Sequence, residues 1–474
     1  MNLIDTPGHV DFTMEVERSL RVLDGGIVVL DSSAGVEAQT ITVWRQASKY
    51  CVPRIAFLNK MDKPNADFEA SLESIRTRLG SEPLLIQRPI GSGKSFRGII
   101  DIVGLKRLVW DKDNNHLGRN YNTIPVTAAT ENAVKIMEER SRLIDTLCDF
   151  DDELAASVIE TGDYNSVSEE AVYRALRKLT LDSRGGHNYL VTLCGSAYKN
   201  IGVQPLLDSA VRLLPSPDDV PKQFLRHYSG DDLVALAFKT THHPQKGLLT
   251  FVRVYSGKIS EGQTVHNLGK ESSEKVGKLM VAFADDFRTV REIGAGGIAV
   301  ISGLKETVTG DTIVKSKNSG NVAMSAWEGS SKSNATCPLL SGVSIPDPVF
   351  YCSIEPPSMR FQKQLDLALS ALVREDPSLR VWPDKDTGQT VIAGMGELHI
   401  DIIKDRILRF GNVKLINIHY QIHYQTKFQA FQRTQNRCRF RTSHDCLQGD
   451  GRKSCQRNNP FRERYNGQEI LYCD

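Results

Sequence analysis

The chain is 474 residues long (52.8 kDa), 40% hydrophobic and 24% charged, with a net charge of +2 and a pI near 8.0. At roughly 100–200 residues per domain this is enough for about three globular domains, and near-neutral charge gives no electrostatic case for binding naked nucleic acid. No apolar run approaches the roughly 20 residues of a membrane helix, and nine cysteines without a Cys-x-x-Cys pair argue against a closed disulfide framework and for a reducing compartment.

The first stretch, Asn2 to Phe12 (NLIDTPGHVDF), reads as the end of a strand, a tight turn and the start of a helix. Pro7 fixes φ, and Gly8 allows a positive φ or a close backbone approach. Phe12, Val16, Leu20 and Leu23 then recur on one helical face. A carboxylate closing a strand, Asp5, followed by the Gly8 amide can hold a magnesium shell and donate to a terminal phosphate. His9 can position a water. An ordinary strand-turn-helix corner has the same pattern.

Three apolar runs, Ile27–Leu30, Ile55–Leu58 and Leu190–Cys194, resemble parallel strands covered on both faces. Helical patterns separate them, so a doubly wound α/β sheet is expected over about residues 1–215. Ligands of such sheets bind beyond the carboxyl ends of the strands, which puts Asp5, Asn59, Asp62 and Ser196 along one rim. Asn59-Lys60-Met61-Asp62 suits a guanine base. The Asp62 carboxylate can accept from the ring N–H and the exocyclic amine together, Asn59 can bond the opposite edge, and the Lys60 stem can lie against the base plane. Gly195-Ser196-Ala197 offers backbone N–H groups to the base oxygen. Gly91-Ser92-Gly93-Lys94-Ser95 mimics the end of a phosphate-binding loop, but Arg88 stands where that loop needs its first glycine and a strand pattern follows, so a plain surface turn is expected.

After a last helix around Val203–Leu213 and a Pro-rich linker, short strands with Gly turns from Leu233 to about Val314 read as a small β-barrel. Residues 315–340 are rich in Ser, Asn, Lys and Gly and read as a linker or disordered loop. A strand-helix-strand-strand-helix order then suggests a split βαβ (ferredoxin-like) α+β domain over 341–413. His399 in that domain is expected to be structural. The remaining stretch, 414–474, lacks periodicity, is basic and holds Cys438, Cys446, Cys455 and Cys473. With His444, the first three do not match a familiar zinc spacing. A disordered tail that is not evolved domain sequence is the reading adopted over a basic RNA-binding or zinc-binding one.

DTPGHVDF, NKMD and GSA, in that order, resemble the guanine-binding signatures of the translational GTPases. The inserted segment at about 84–181, Arg253-Val-Tyr-Ser-Gly257, Thr309-Gly-Asp-Thr312, Glu375-Asp-Pro-Ser-Leu379 and Gly394-Met-Gly-Glu-Leu-His399 resemble the elongation factor G family in particular, nearest its mitochondrial members. The resemblance runs to about residue 410. It implies a multidomain fold: a partial GTP-binding α/β domain with an inserted α+β subdomain, a translation-factor β-barrel over about 220–314, and the α+β domain. It implies GTP and Mg2+ as cofactors, bound by Asp5, Thr6, Pro7, Gly8, His9, Asn59, Lys60, Met61, Asp62, Gly195, Ser196 and Ala197, with Asp5 on the magnesium side through water. It implies His9 as the catalytic residue orienting the attacking water, and Asp31-x-x-x-Gly35 as a structural turn. The activity implied is GTP hydrolysis that splits mitochondrial ribosomes after termination, together with the ribosome recycling factor, in the mitochondrial matrix, with neither membrane nor DNA as partner. The alternatives are a translocase of the same family and a non-catalytic fragment.

No Gly-x-x-x-x-Gly-Lys-Ser/Thr occurs in the 474 residues, and the chain begins inside the first motif, so a targeting segment and the phosphate-binding loop would both lie upstream. Guanine contacts alone cannot replace several charge-assisted hydrogen bonds at roughly 1.5–3 kcal/mol each. This polypeptide by itself is therefore expected to bind GTP or GDP weakly at best. Titration with fluorescent GDP and magnesium checks this: saturation at low micromolar concentration, competed by GTP and not ATP, would contradict it.

Overall fold

The computed structural model describes residues 1–110, 118–127, 130, 132–182, 188–219, 223–228, 232–243, 245–328, 340, 347–356, 358–384, 388–411, 417–419, 462–465 and 468–471. The chain divides into two units, Met1–His419 and Tyr420–Asp474. In the second, Arg462–Tyr465 and Gln468–Leu471 pair as an antiparallel hairpin. The four tail cysteines and His444 lie outside the described residues.

Residues 1–8 form no regular structure, so the strand expected to end at Asp5 is absent. An extended segment gains its backbone hydrogen bonds only from a neighbour, and Asn2 to Asp5 has none in any sheet. Leu3 is exposed, and Ile4 packs instead against Val22, Leu236 and Phe238. A 3-10 turn, Val10–Phe12, leads into α1 (Thr13–Leu20). Its Val16 and Leu20 pack with Leu23 against Ala47 and Val52, as the spacing required.

The three apolar runs form β1 (Gly26–Asp31), β2 (Arg54–Asn59) and, later in the chain, a third parallel strand. With α2 (Ala38–Lys49) between the first two and α3 (Phe68–Ser74) after them, this is the expected α/β layering. β3 (Glu82–Leu85) opens a further segment. In it β4 (Gln87–Ile90), β5 (Gly98–Asp101), β6 (Lys106–Val109) and β7 (Asn122–Pro125) form an antiparallel meander, followed by α4 (Ala133–Cys148), α5 (Asp152–Thr161) and α6 (Glu169–Leu181). Asp151 and Ser168 cap the last two helices by accepting from N–H groups of their first turns. The chain then returns through β8 (Tyr189–Cys194) and α7 (Val203–Leu213). Sheet order is β1-β2-β8-β3, all parallel, so β1 is an edge. It is not covered on both faces as its run suggested: Val29 is 58% exposed.

The second domain runs from β9 (Val234–His243) and β10 (Gly247–Ser256) through β11 (Lys258–Ser260), β12 (Thr264–Asn267), β13 (Ser272–Lys275), β14 (Leu279–Phe283), β15 (Asp286–Thr289), β16 (Glu292–Gly294) and β17 (Ile298–Ser302) to β18 (Thr312–Val314). Alternate residues, among them Ala235, Ala237, Val252, Val254 and Ile313, build one barrel core. The segment read as a linker carries α8 (Lys317–Glu328). Ser316 Oγ accepts from the Ser319 N–H, an N-cap. Gly320 and Ala323 are buried with Met324 and Trp327 partly so, a helical period that small residues disguise in the sequence.

The third domain has β19 (Phe350–Glu355), α9 (Gln362–Glu375), β20 (Arg380–Pro383), β21 (Thr390–Gly394), α10 (Glu397–Gly411) and β22 (Asn417–His419). Sheet order β20-β21-β19-β22 is antiparallel throughout, a split βαβ arrangement, and Leu365, Leu369, Leu372, Ile400, Ile403 and Ile407 bury the two helices together. The last strand lies beyond the expected end of the domain at residue 413.

The end of α9 ties three domains together. Arg18 Nη2 of α1 pairs with Asp376 Oδ1 at 3.4 Å and with Glu15 at 2.9 Å. Asp376 Oδ2 lies 2.7 Å from His399 Nε2, and His399 Nδ1 accepts from the Met395 N–H, so the ring proton sits on Nε2 and is donated to Asp376. Glu375 takes Arg406 on one oxygen at 2.9 Å, and the backbone N–H and Nδ1 of His242 of the barrel on the other. Burial acts to raise the Asp376 carboxyl, but the His399 bond, with Ser378 and Arg18, outweighs it and holds it at about 2. A folded pKa below the unfolded value near 3.8 stabilises the fold fully above about pH 4, and the stabilisation, on the order of 2 kcal/mol, is lost as pH falls toward 2. Asp376→Asn should therefore lower the melting temperature at pH 6 and flatten its fall between pH 4 and pH 2; an unchanged acid limb would contradict the assignment.

Candidate functional site

Parallel pairing of β2 with β8 sets Leu58 opposite Cys194, so the segments that follow both strands emerge side by side. Gly195 N–H donates to Leu58 O at 2.9 Å, and Met61 N–H donates to Gly195 O at 3.1 Å. A side chain at 195 would lie 2.4 Å from Ile201 O and 2.7 Å from the Phe57 ring, so only glycine lets the two segments approach this closely.

Four of the expected base-binding residues meet here. Ser196 Oγ donates to Asp62 Oδ1 at 2.6 Å and orients that carboxylate; among the described residues Asp62 Oδ2 makes no hydrogen bond. Asn59 Oδ1 accepts from the N–H groups of Lys60 (2.8 Å) and Ala197 (2.9 Å), which leaves the Asn59 amine to face a ligand acceptor. The two backbone donors expected for the base oxygen are both engaged: Ser196 N–H with Ile201 O, and Ala197 N–H with Asn59. A base oxygen would therefore have to displace Asn59 from Ala197.

Lys60 has φ +64, a left-handed backbone uncommon outside glycine. Its Nζ lies 2.7 Å from Asp31 Oδ2, which also takes Lys63 Nζ at 2.9 Å, while Asp31 Oδ1 accepts from the Ser33 N–H and hydroxyl. Burial acts to raise Asp31, but these cations and donors hold it well below the usual carboxylate range, and the Asp31 bond raises Lys60 in turn. Asp31, taken from the sequence as a turn residue, thus directs the Lys60 stem. The sequence signal was its place at the end of β1, in register with Asn59.

Asp5, Thr6, Pro7, Gly8 and His9 do not join this cluster. Asp5 is exposed and, among the described residues, makes no hydrogen bond or ion pair. Gly8 has neither a positive φ nor any atom within 4 Å of an added Cβ, so neither turn strain nor packing calls for glycine there. His9 is half-exposed; its Nδ1 accepts from the Asp11 N–H at 3.3 Å, so in the neutral ring Nε2 carries the proton. The turn is held from its far side by the third domain. Phe12 meets His399 edge-on at 6.4 Å between ring centres, and the Asp11 carboxylate fills the space a Cβ on Gly396 would need. Among the described residues no group of three His, Cys, Asp or Glu could hold a metal ion.

Comparison with known proteins covers most of this architecture. Residues 1–216 match the model of the elongation factor Tu GTP binding domain, 232–316 that of elongation factor G domain 2, and 345–417 that of elongation factor G domain III. The chain is 49% identical over 418 residues to ribosome-releasing factor 2, mitochondrial, of Rattus norvegicus, covering 86% of this chain and 53% of the relative. It is 48% identical over 416 residues to the protein of that name from Danio rerio (86% and 54%), and 41% identical over 443 residues to that of Drosophila willistoni (91% and 58%). The chain thus spans about half the length of the curated relatives it matches. A crystal structure of a Thermus thermophilus protein superposes with a TM-score of 0.70 at 24% identity, over 88% of this chain and 56% of that one, a likeness of fold.

Proposed function

Because this chain belongs to the elongation factor G family of translational GTPases, we propose that it is the guanine-recognising and ribosome-facing part of a GTP-hydrolysing factor that releases mitochondrial ribosomes after termination. The observation that carries the reading is the meeting of Asn59, Asp62, Ser196 and Ala197 at the ends of two adjacent parallel strands. Ribosome release, as against translocation, and the mitochondrial location rest on the relatives' name; the recycling factor as partner and the matrix as compartment are part of the proposal and go beyond that name.

In this reading Asp62, oriented by Ser196, accepts from the guanine ring N–H and exocyclic amine, a pair adenine cannot supply. Asn59 turns its amine to the opposite edge, and the Lys60 stem, anchored through Asp31, lies along the base plane. His9 orients the attacking water, its Nε2 proton placed by the Nδ1 bond to the Asp11 N–H. Mg2+, which would neutralise phosphate charge, fits this chain through one exposed carboxylate, Asp5. That suits an ion which keeps several waters and takes one or two carboxylates together with phosphate oxygens. The third domain, bearing on Phe12 and Asp11, holds the turn that presents His9.

Both roles are testable in a chain extended upstream by the phosphate-binding loop of a relative. Asp62→Asn should weaken GDP binding by roughly tenfold or more, the loss of a contact to a charged group worth on the order of 1.5–3 kcal/mol, and should let xanthosine diphosphate bind. Unaltered GDP affinity would remove Asp62 from the site. His9→Ala should leave GTP affinity nearly intact while slowing ribosome-stimulated hydrolysis by roughly 10²-fold or more; hydrolysis at the parent rate would show that His9 is only a turn residue.

A further inference from the structure

The Gly91–Ser95 turn resembles the end of a phosphate loop in sequence and is a surface turn, with Gly91, Ser92, Lys94 and Ser95 exposed, but its middle residue is not at the surface. Gly93 is buried, and its N–H donates to Met61 O at 2.9 Å. A Cβ added at Gly93, where φ is +55, would lie 3.3 Å from Lys63 O and 3.4 Å from Pro64 Cα. The turn therefore lies directly against the Asn59–Pro64 loop. It is itself stiff: Ser95 Oγ bonds both the N–H and the carbonyl of Ser92, and the Ser95 N–H donates to Ser92 O. Gly91, at φ +79, leaves no room for a Cβ beside Ser95 O. β4 and β5, the strands it joins, pair in register from Gln87↔Asp101 to Ile90↔Gly98.

Met61 is fully buried, and its two backbone groups are bonded in opposite directions. The N–H goes to Gly195 O on the β8 side, and the carbonyl accepts from Gly93 on the side of the inserted sheet. Asp31 holds Lys60 and Lys63 from β1. Left-handed backbone at a non-glycine residue costs free energy and persists where its surroundings over-determine it; Lys60 sits between these three anchors.

We propose that the Gly91–Ser95 turn is a positioning element of the base pocket: through the Gly93 N–H and the glycine's lack of a side chain, the inserted subdomain sets the Asn59–Lys63 loop that presents Asn59 and Asp62. Asn59–Asp62 as a guanine site is the reading above, and the inference rests on it for its functional meaning. The inserted subdomain then acts on base recognition and touches no substrate itself.

Hydrogen exchange of the 474-residue chain tests the contact without nucleotide. Gly93→Ala should speed exchange of the amides of residues 59–63 by about five- to tenfold, the scale of one lost hydrogen bond. Ser95→Ala, which only loosens the turn, should do the same to a smaller extent. Gly80→Ala is the control: Gly80 also has a positive φ, +64, but nothing lies within 4 Å of an added Cβ, so the 59–63 amides should exchange as in the parent. Exchange unchanged at 59–63 in Gly93→Ala, or raised equally along β1, β2 and β8, overturns the proposal, the second outcome marking a general loss of stability. In the loop-completed chain, Gly93→Ala should cut the preference for GDP over inosine diphosphate, which lacks the exocyclic amine, by about threefold or more; a preference equal to the parent's also overturns it. Failure of the guanine reading would be seen separately, as an Asp62→Asn variant that keeps its GDP affinity while the exchange result stands.

Discussion

The parallel pairing of β2 with β8 is the constraint on which the site depends. More than a hundred residues separate Asn59 from Gly195 in the chain, yet Leu58 and Cys194 are direct partners, and Gly195 N–H closes onto Leu58 O. The groups at the two strand ends are then placed by short-range bonds: Asp62 by Ser196, Asn59 by Ala197, Met61 by Gly195. Such a ladder tolerates the whole inserted subdomain between its strands because loop closure grows only slowly with loop length. The insert repays that closure by packing Leu143, Ile144, Leu147 and Leu176 into the same core as Ile55, Phe57 and Leu193.

A second constraint lies at the end of α9. Glu375 and Asp376 are consecutive acids facing different domains: one holds the barrel through His242, the other holds α1 through Arg18 and α10 through His399. Buried charges are costly unless paired and hydrogen-bonded, and here each is. Such an arrangement discriminates against other domain orientations more than it adds stability, because turning the third domain would leave several charges without partners. His399 also touches Phe12, so the orientation of the third domain is passed to the turn carrying His9.

The sequence by itself determined the pieces that rest on local chemistry. Apolar runs marked β1, β2 and β8 because strands of a parallel sheet layered with helices carry β-branched and large apolar residues without interruption, although β1, an edge, leaves Val29 exposed. Helical spacing marked α1, α9 and α10. Asn59, Asp62, Ser196 and Ala197 were legible because each follows one of those strands, and parallel α/β sheets collect such residues at one edge. The strand at Asn2 to Asp5 looked correct locally, but a strand exists only with a partner, and Ile4 found the barrel instead. The helix at 317–328 was hidden because its buried face is made of Gly320 and Ala323, residues that hydropathy does not single out. Only the tertiary structure decided how Asp31 reaches Lys60 and Lys63, how Gly93 abuts Met61, and how Arg18 meets Asp376. These contacts join polar or small residues far apart in the chain, with no periodicity to announce them. They form where charges and backbone groups find partners, and that matching is defined only once the apolar cores have set the distances.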